Sequence, residues 1–287
     1  MHILKWTGVT LFGLAAAYAA ANAIGAARWQ TITRDLVAQL DAGRTAPAIS
    51  RYHEADLAPL PAPVQRYFRA VLTDGQPIIT QAVVTQKGVF NMSTTPTAQW
   101  KAFTATQTVS TNRPGFVWDA RIMLFPGVPV RVVDAYVAGN DTLRPSILGL
   151  YPMADMHGTG EIARGELMRW FSETIWYPTA LLPSQGVVWQ AVDDVSAQAT
   201  VTDGPITLTL LFRFGADGLI STIHADARAK MSGTTVVMAP WDCTMSDYRK
   251  QDGMLVPFTG TVGYVTDTGV QDYFRATLQS VAYAFTD

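Results

Sequence analysis

Cysteine is almost absent from the 287-residue chain: Cys243 stands alone, which excludes an internal disulfide and any cysteine-built metal cluster. One thiol does not choose between a reducing and an oxidising compartment. Histidine is nearly as scarce. His2, His53, His157 and His224 include no pair spaced to hold a metal from one element. Basic blocks are missing too: 21 Lys and Arg stand against 23 Asp and Glu, the net charge is −2, and the footprint of a nucleic-acid binder is lacking. There is no Gly-x-Ser-x-Gly elbow, and Gly158-Thr159-Gly160 lacks the third glycine and preceding parallel strand of a dinucleotide loop. No repeat of fixed period is visible. These residues point to no metal, cofactor or catalytic residue.

What the chain has in quantity is apolar sequence, 48% hydrophobic against 15% charged residues. From Trp6 to Ala27 it carries no charge over 22 residues, enough for a helix to span the roughly 30 Å hydrocarbon core of a bilayer. Lys5 and Trp6 at one end, and Arg28 and Trp29 at the other, suit the two interfaces. The rival reading is a cleaved signal peptide, since Ala17-Tyr18-Ala19 and Ala21-Asn22-Ala23 fit the small-x-small pattern. The uncharged run exceeds a signal core, which favours an anchor over residues 1–28. Ile32, Leu36 and Leu40 continue a helical stripe to Asp41-Ala42-Gly43, and the Pro-rich stretch from Arg44 to Pro63 reads as a linker, so residues 29–60 form a juxtamembrane helix and linker. One β domain is expected over 61–287, opened by a short helix bearing Val64, Phe68, Val71 and Leu72.

From Ile78 the apolar period changes to two. Phe116, Trp118, Ala120, Ile122 and Leu124 share one face of a strand, and Ile206, Leu208, Leu210, Phe212 and Phe214 share one face of another. Turns at Pro114-Gly115, Asp203-Gly204, Asp217-Gly218 and Asp252-Gly253 separate such runs. Thr142 to Met156 reads as one or two short strands. Roughly eleven antiparallel strands are too many to stay flat, which predicts a mainly β fold: a strongly curled sheet, barrel or half-barrel, with few helices.

One long helical signal interrupts the strands, over 161–183. Leu167, Phe171, Ile175, Pro178 and Leu182 line one side, Arg169 and Glu173 are placed to pair on the surface, and Trp170 and Trp176 widen the apolar stripe. Gly165 and Pro178 predict a start near Glu166 and a bend near Tyr177. Such a helix is either a core element on the sheet or a lid over a cavity. Glu161, Glu166 and Glu173 read as solvent-facing helix charge, and Cys243, alternating with Trp241 and Met245, as a packing residue.

Two constellations carry chemistry. His224, Asp226 and Arg228 alternate along one strand, and a hydrolase would need them in a pocket beside a nucleophile; a solvated sheet face is the plainer reading. Trp118, Trp170, Phe171, Trp176, Trp189 and Trp241 are placed to form one aromatic cluster, core or ligand wall. With Arg169, Glu173 and Ile175 they make the candidate binding set for an apolar or lipid-like molecule. A third reading is a partner-binding module of a membrane complex, announced by exposed apolar surface.

The run Arg169-Trp170-Phe171-Ser172-Glu173-Thr174-Ile175-Trp176-Tyr177-Pro178, followed by Val188-Trp189, resembles a bacterial domain-of-unknown-function family with an N-terminal membrane segment. The likeness extends to Leu60-Pro61-Ala62-Pro63-Val64-Gln65-Arg66-Tyr67-Phe68, Pro114-Gly115-Phe116-Val117-Trp118-Asp119-Ala120 and Pro240-Trp241 with Tyr248 and Pro257. The resemblance implies no activity and no catalytic residue. It implies a bacterial protein with a membrane segment. The five-residue tail before the uncharged run stays in the cytoplasm, which predicts a single-pass inner-membrane protein with its domain in the periplasm. The apolar-ligand reading gives it a role in envelope maintenance. At the level of architecture, a bent antiparallel sheet holding a helix is loosely similar to the periplasmic lipoprotein carriers.

Overall fold

The computed structural model describes residues 2–93, 97–232 and 235–286, with the side chains of 2–11 and 231–232 outside the described set. Helix α1 (His2–Ala42) and helix α2 (Ala62–Val71) come first. Seven strands follow: β1 (Ile79–Asn91), β2 (Trp100–Ser110), β3 (Gly115–Phe125), β4 (Val128–Val137), β5 (Asn140–Ile147), β6 (Tyr151–Pro152) and β7 (Met156–Gly158). Helix α3 (Glu161–Glu173) and three short 3-10 turns over 174–185 lead into β8 (Val188–Asp193), β9 (Ser196–Asp203), β10 (Ile206–Phe214) and β11 (Ile220–Ser232). The chain ends in β12 (Thr235–Gln251), β13 (Met254–Thr266) and β14 (Gly269–Phe285).

All described strands join one 14-stranded sheet in the order β6-β5-β4-β3-β2-β1-β14-β13-β12-β11-β10-β9-β8, with β7 beside β5. Each limb is a meander of neighbours in sequence, and pairing of the first strand with the last joins the limbs, with Phe90 opposite Phe274 and Val84 opposite Val281. The predicted strongly curled barrel is corrected: the order is linear, and edges β6 and β8 have no hydrogen-bonded link. Strand number alone does not close a sheet when a helix is available to bury its inner face. Helix α3 touches β3, β4 and β5 on one limb and β10 and β11 on the other. The limbs also meet through side chains, Tyr136 of β4 donating to Asp203 of β9 at 2.6 Å. The predicted inner faces hold: Phe116, Trp118, Ala120 and Ile122, and likewise Leu208, Leu210, Phe212 and Phe214, are buried in one core with α2 and α3.

Helix α1 lies on the outer face. Trp29 and Leu40 pack on Val117, Val133 and Ala135, and the Trp29 indole donates to Asp119 at 2.8 Å. Trp29 is therefore no interface anchor: it is sealed against the sheet. Lys5 and Trp6, the other expected anchors, lie outside the described side chains. Among the described residues no helix is long and apolar enough to cross a membrane. The Pro-rich stretch is not a free linker either, because Tyr52 and Leu57 are buried and the Tyr52 amide donates to the Gln76 carbonyl at 2.9 Å.

Small residues let α1 approach this closely. A Cβ on Gly25 would come within 1.9 Å of the Leu148 carbonyl oxygen, and one on Gly149, whose φ is +74°, within 2.7 Å of the Gly25 carbonyl oxygen. Gly25→Leu is thus expected to lift α1 off the turn at 148–149, at a cost of about 1–3 kcal/mol. Trypsin should then cut faster at Arg28 and Arg34 while the β-sheet circular dichroism persists. Unchanged cleavage would show that this crossing does not hold the helix.

Candidate functional site

Helix α3 starts earlier than its propensities suggest, at Glu161 behind Gly160 with φ +75°. Gly165 is tolerated inside it for a reason that only the fold supplies. Its carbonyl accepts from the Arg228 guanidinium at 2.6 Å, and a Cβ there would sit 3.9 Å from that group. The predicted apolar side, Leu167, Phe171, Ile175, Pro178 and Leu182, is buried, and the bend at Tyr177 is made by two successive 3-10 turns.

The charged residues are not where their spacing implies. Arg169 does pair with Glu173, at 3.0 Å, but inside the protein. It also donates to Asp134 at 2.5 Å and to Gln107 at 2.9 Å, and its plane lies over the Phe116 and Trp118 rings at 4.6 and 5.1 Å. Gln107 in turn donates to Glu173 at 2.6 Å. Arg228 sits 3.5 Å from Glu166 and over the Trp241 ring at 5.0 Å. Of the three helix glutamates read as solvated, Glu161 alone is exposed.

Burial sets the protonation of this network. It lowers the affinity of Arg169 for its proton, but Glu173 and Asp134 outweigh it and hold Arg169 above its ordinary range. Burial also raises Asp134 against the pull of Arg169. Glu166 is pushed up to about 8, first by burial and then by Asp134, with Arg228 and Arg169 opposing. Three acids face two guanidinium groups here, so one proton on Glu166 brings the cluster to charge balance. The Glu166 Oε2 atom is buried without a protein hydrogen-bond partner.

The aromatic residues form two groups instead of the single cluster expected. The first is core: Trp170 against Phe171 and Tyr177, Phe171 against Phe212, and Trp189 between Phe212 and Phe68. Trp170 and Trp189 anchor their indole N–H groups on the Ser110 and Leu181 carbonyls. Ile175 and Trp176 are sealed with them, so the space beneath α3 is filled. The second group lines the other end of the inner face. Phe103 stacks on Phe274 at 5.1 Å and meets Trp118 at 5.7 Å; Phe90 meets Tyr273 and Phe274; Tyr264 stacks on Tyr273, which accepts from Trp241 at 3.0 Å. Gly88 lets β14 and Phe103 close in, because a Cβ there would lie 2.0 Å from the Arg275 carbonyl oxygen and 2.9 Å from the Phe103 ring. Phe103, Trp118 and Trp241 are buried, whereas Phe90, Tyr264, Tyr273 and Phe274 stay partly open.

The inner face thus ends in a half-open aromatic mouth, with Arg169, Arg228 and Glu166 below it and Lys230 held 4.9 Å from the Tyr264 ring at its edge. Of the residues expected to line a site between the sheet and the helix, Trp118, Arg169 and Trp241 border this opening; Phe90, Phe103, Tyr264, Tyr273, Phe274, Asp134, Glu166 and Arg228 were not in that set. Arg228 was hidden by a bulge. The register shifts between Ala225 and Arg228, which turns Arg228 inward while His224 and Asp226 stay outside.

That shift also dissolves the hydrolase reading. His224 pairs with Asp242 at 2.6 Å and with Asp226 at 3.3 Å, and the Asp226 side chain is 99% exposed, in open solvent. Cys243 is buried, and burial raises its thiol well above the ordinary value. A cavity of about 440 Å³ opens on the outer face between Lys87, Thr106, Asp119, Arg121, Arg131 and Gln279. Its lining is an even mix of polar and apolar surface, and none of the candidate residues faces it.

Residues 58–283 match DUF6920, a family of unknown function. No curated protein matches the chain. Among solved structures it is similar to a LolA superfamily protein from Nitrosomonas europaea, at 10% identity over 84% of this chain and 94% of that one, with a TM-score of 0.37. It is also similar to a DUF1329 family protein from Desulfovibrio piger, at 9% identity over 71% and 86% of the two chains, with a TM-score of 0.40.

Proposed function

Because the chain belongs to the DUF6920 family, whose function is unknown, its role must be read from its own side chains, and we propose that it binds an amphipathic, lipid-like molecule at the aromatic mouth. The observation that carries this reading is that Phe90, Tyr264, Tyr273 and Phe274 touch one another ring to ring and are only partly buried, at one end of the inner face. Contiguous open apolar surface beside converging polar groups is the usual make-up of a ligand site. The apolar part of the ligand lies along these rings. Its polar head reaches Arg228 and the unpartnered Glu166 oxygen. Trp118, Arg169 and Trp241 form the floor, with Glu173 holding Arg169, and Trp170, Phe171, Ile175, Trp176 and Trp189 make the rigid wall behind it. The uncharged residues of α1 that precede Tyr18 tether the chain to the bacterial inner membrane, with the domain on the periplasmic side and a role in the envelope.

Displacement of a fluorescent long-chain fatty acid tests the site. Phe274→Ala removes one open ring and is expected to weaken binding about tenfold, from roughly 1.5 kcal/mol of lost apolar contact. Trp189→Phe, in the wall, should leave affinity within about twofold. Native mass spectrometry of chain extracted from membranes should show bound lipid mass. No bound mass and no fatty-acid binding by the natural chain would end this reading.

A further inference from the structure

We propose that the turns surrounding the mouth rest on the surface of a phospholipid bilayer, so that the mouth opens directly onto it. In an antiparallel meander alternate turns fall on the same side. Here the pairing of Phe90 with Phe274 puts the β13–β14 turn on the side of the β1–β2, β3–β4 and β5–β6 turns, and the β11–β12 hairpin follows. This is the side on which the mouth lies. Large apolar side chains stand in solvent on four of these turns: Phe125 at 61% exposure, Tyr151 at 69%, Val270 at 47%, and Val236 with Met238 on the β11–β12 hairpin. Single exposed apolar residues occur elsewhere, as at Val192 and Val195, but here they recur on four turns of one rim, the arrangement of a membrane-facing surface.

Helix α1 fixes what covers them. It runs beside β3 from Leu40, packed by Gly115, to Tyr18, whose hydroxyl meets the Gly127 carbonyl in the β3–β4 turn. The helical residues before Tyr18 therefore continue past the rim, and at about 1.5 Å per residue they reach roughly 24 Å beyond it. That projecting stretch is uncharged from Trp6 onward and carries Phe12 and Leu14 in the open. Aromatic and aliphatic tips beside such a helix fit the interfacial layer of a bilayer. Lys101 and Lys230, each held over a ring at the rim, at 5.6 Å from Phe125 and 4.9 Å from Tyr264, are placed to meet anionic headgroups. The inference is independent of the ligand but rests on the anchor for the position of the bilayer.

Full-length chain with a single added thiol tests it, since buried Cys243 leaves the label to the new site. Phe125→Cys and Val270→Cys sit on the rim, and Val192→Cys is exposed on edge strand β8 away from it. Each carries an environment-sensitive dye and is mixed with vesicles of phosphatidylcholine and phosphatidylglycerol containing nitroxide lipid, after circular dichroism confirms an unchanged fold. Quenching at 125 and 270 at least about threefold stronger than at 192 is the expected result for an interfacial face. Flotation of the chain with the vesicles but no quenching at the rim would leave the anchor standing and overturn the docking. Failure to float would overturn both. Equal quenching at all three sites overturns the proposed orientation. A dye shift at 125 and 270 that grows with protein concentration in the absence of vesicles would give the surface to a second copy of the chain and likewise overturn it.

Discussion

Arg169→Ala is expected to destabilise the protein by about 3–5 kcal/mol, because it strands two buried carboxylates. For a domain of this size that corresponds to a fall in Tm on the order of 10 °C. Asp134, Glu173 and Gln107 all spend hydrogen bonds on this guanidinium, and Phe116 and Trp118 clamp its faces. With it gone, Asp134 and Glu173 face each other across a void that solvent reaches poorly, with Gln107 still committed to Glu173. The loss comes from the unpaired charges more than from any large net worth of the ion pairs. A triple change, Arg169→Met with Asp134→Asn and Glu173→Gln, should therefore recover most of the deficit. Chemical unfolding of the two variants separates the cases. If Arg169→Ala alone costs under about 1 kcal/mol, the network behaves like a hydrated surface pair and the buried-charge account is wrong.

The local elements were legible because they obey local rules. Period-two alternation marked the inner residues of β3 and β10 correctly, and the step-of-four stripe marked the buried side of α3. Of the residues around the candidate mouth, sequence patterns singled out those that one element makes conspicuous, Trp118, Arg169 and Trp241, and assigned them to a site beneath the helix. The other residues depend on pairings that no local pattern encodes. Phe90 and Phe274 are far apart in sequence and meet because the first and last strands pair. Arg228 faces inward because of one irregular step in β11, and an alternating reading puts it outside with Asp226. Arg169 and Glu173 have the spacing of a surface pair, and their burial comes from a limb of the sheet that sequence spacing cannot place. The stretch Tyr18–Ala27 shows the same ambiguity in another form. Alanine and glycine without charge suit lipid and close backbone packing alike, and Gly25 against Gly149 shows the second use within the first pattern.

Glu166 supplies the last expected effect, on pH. Its carboxyl ionises at about 8 in the folded chain against an ordinary 4.5. Below the lower value both folded and unfolded chains hold the proton, and its contribution to stability is complete. Between the two values the unfolded chain has released the proton while the folded chain keeps it. Stability then falls as pH rises, by about 1.4 kcal/mol per pH unit, and levels off above the folded value. Glu166→Gln mimics the protonated side chain and has nothing to release. Its stability relative to the natural chain should be near zero at pH 4.5 and climb to a few kcal/mol by pH 8, in unfolding curves taken at each pH. Asp134 is the second cause of the raised value, so Asp134→Asn should move the start of levelling to lower pH. The opposite sign, with Glu166→Gln less stable at pH 8 than at pH 5 relative to the natural chain, would mean that attraction to Arg228 outweighs burial. Glu166 would then be an ionised partner of Arg228, and the mouth would present its ligand with a salt bridge in place of an uncharged acid beside the Arg228 cation.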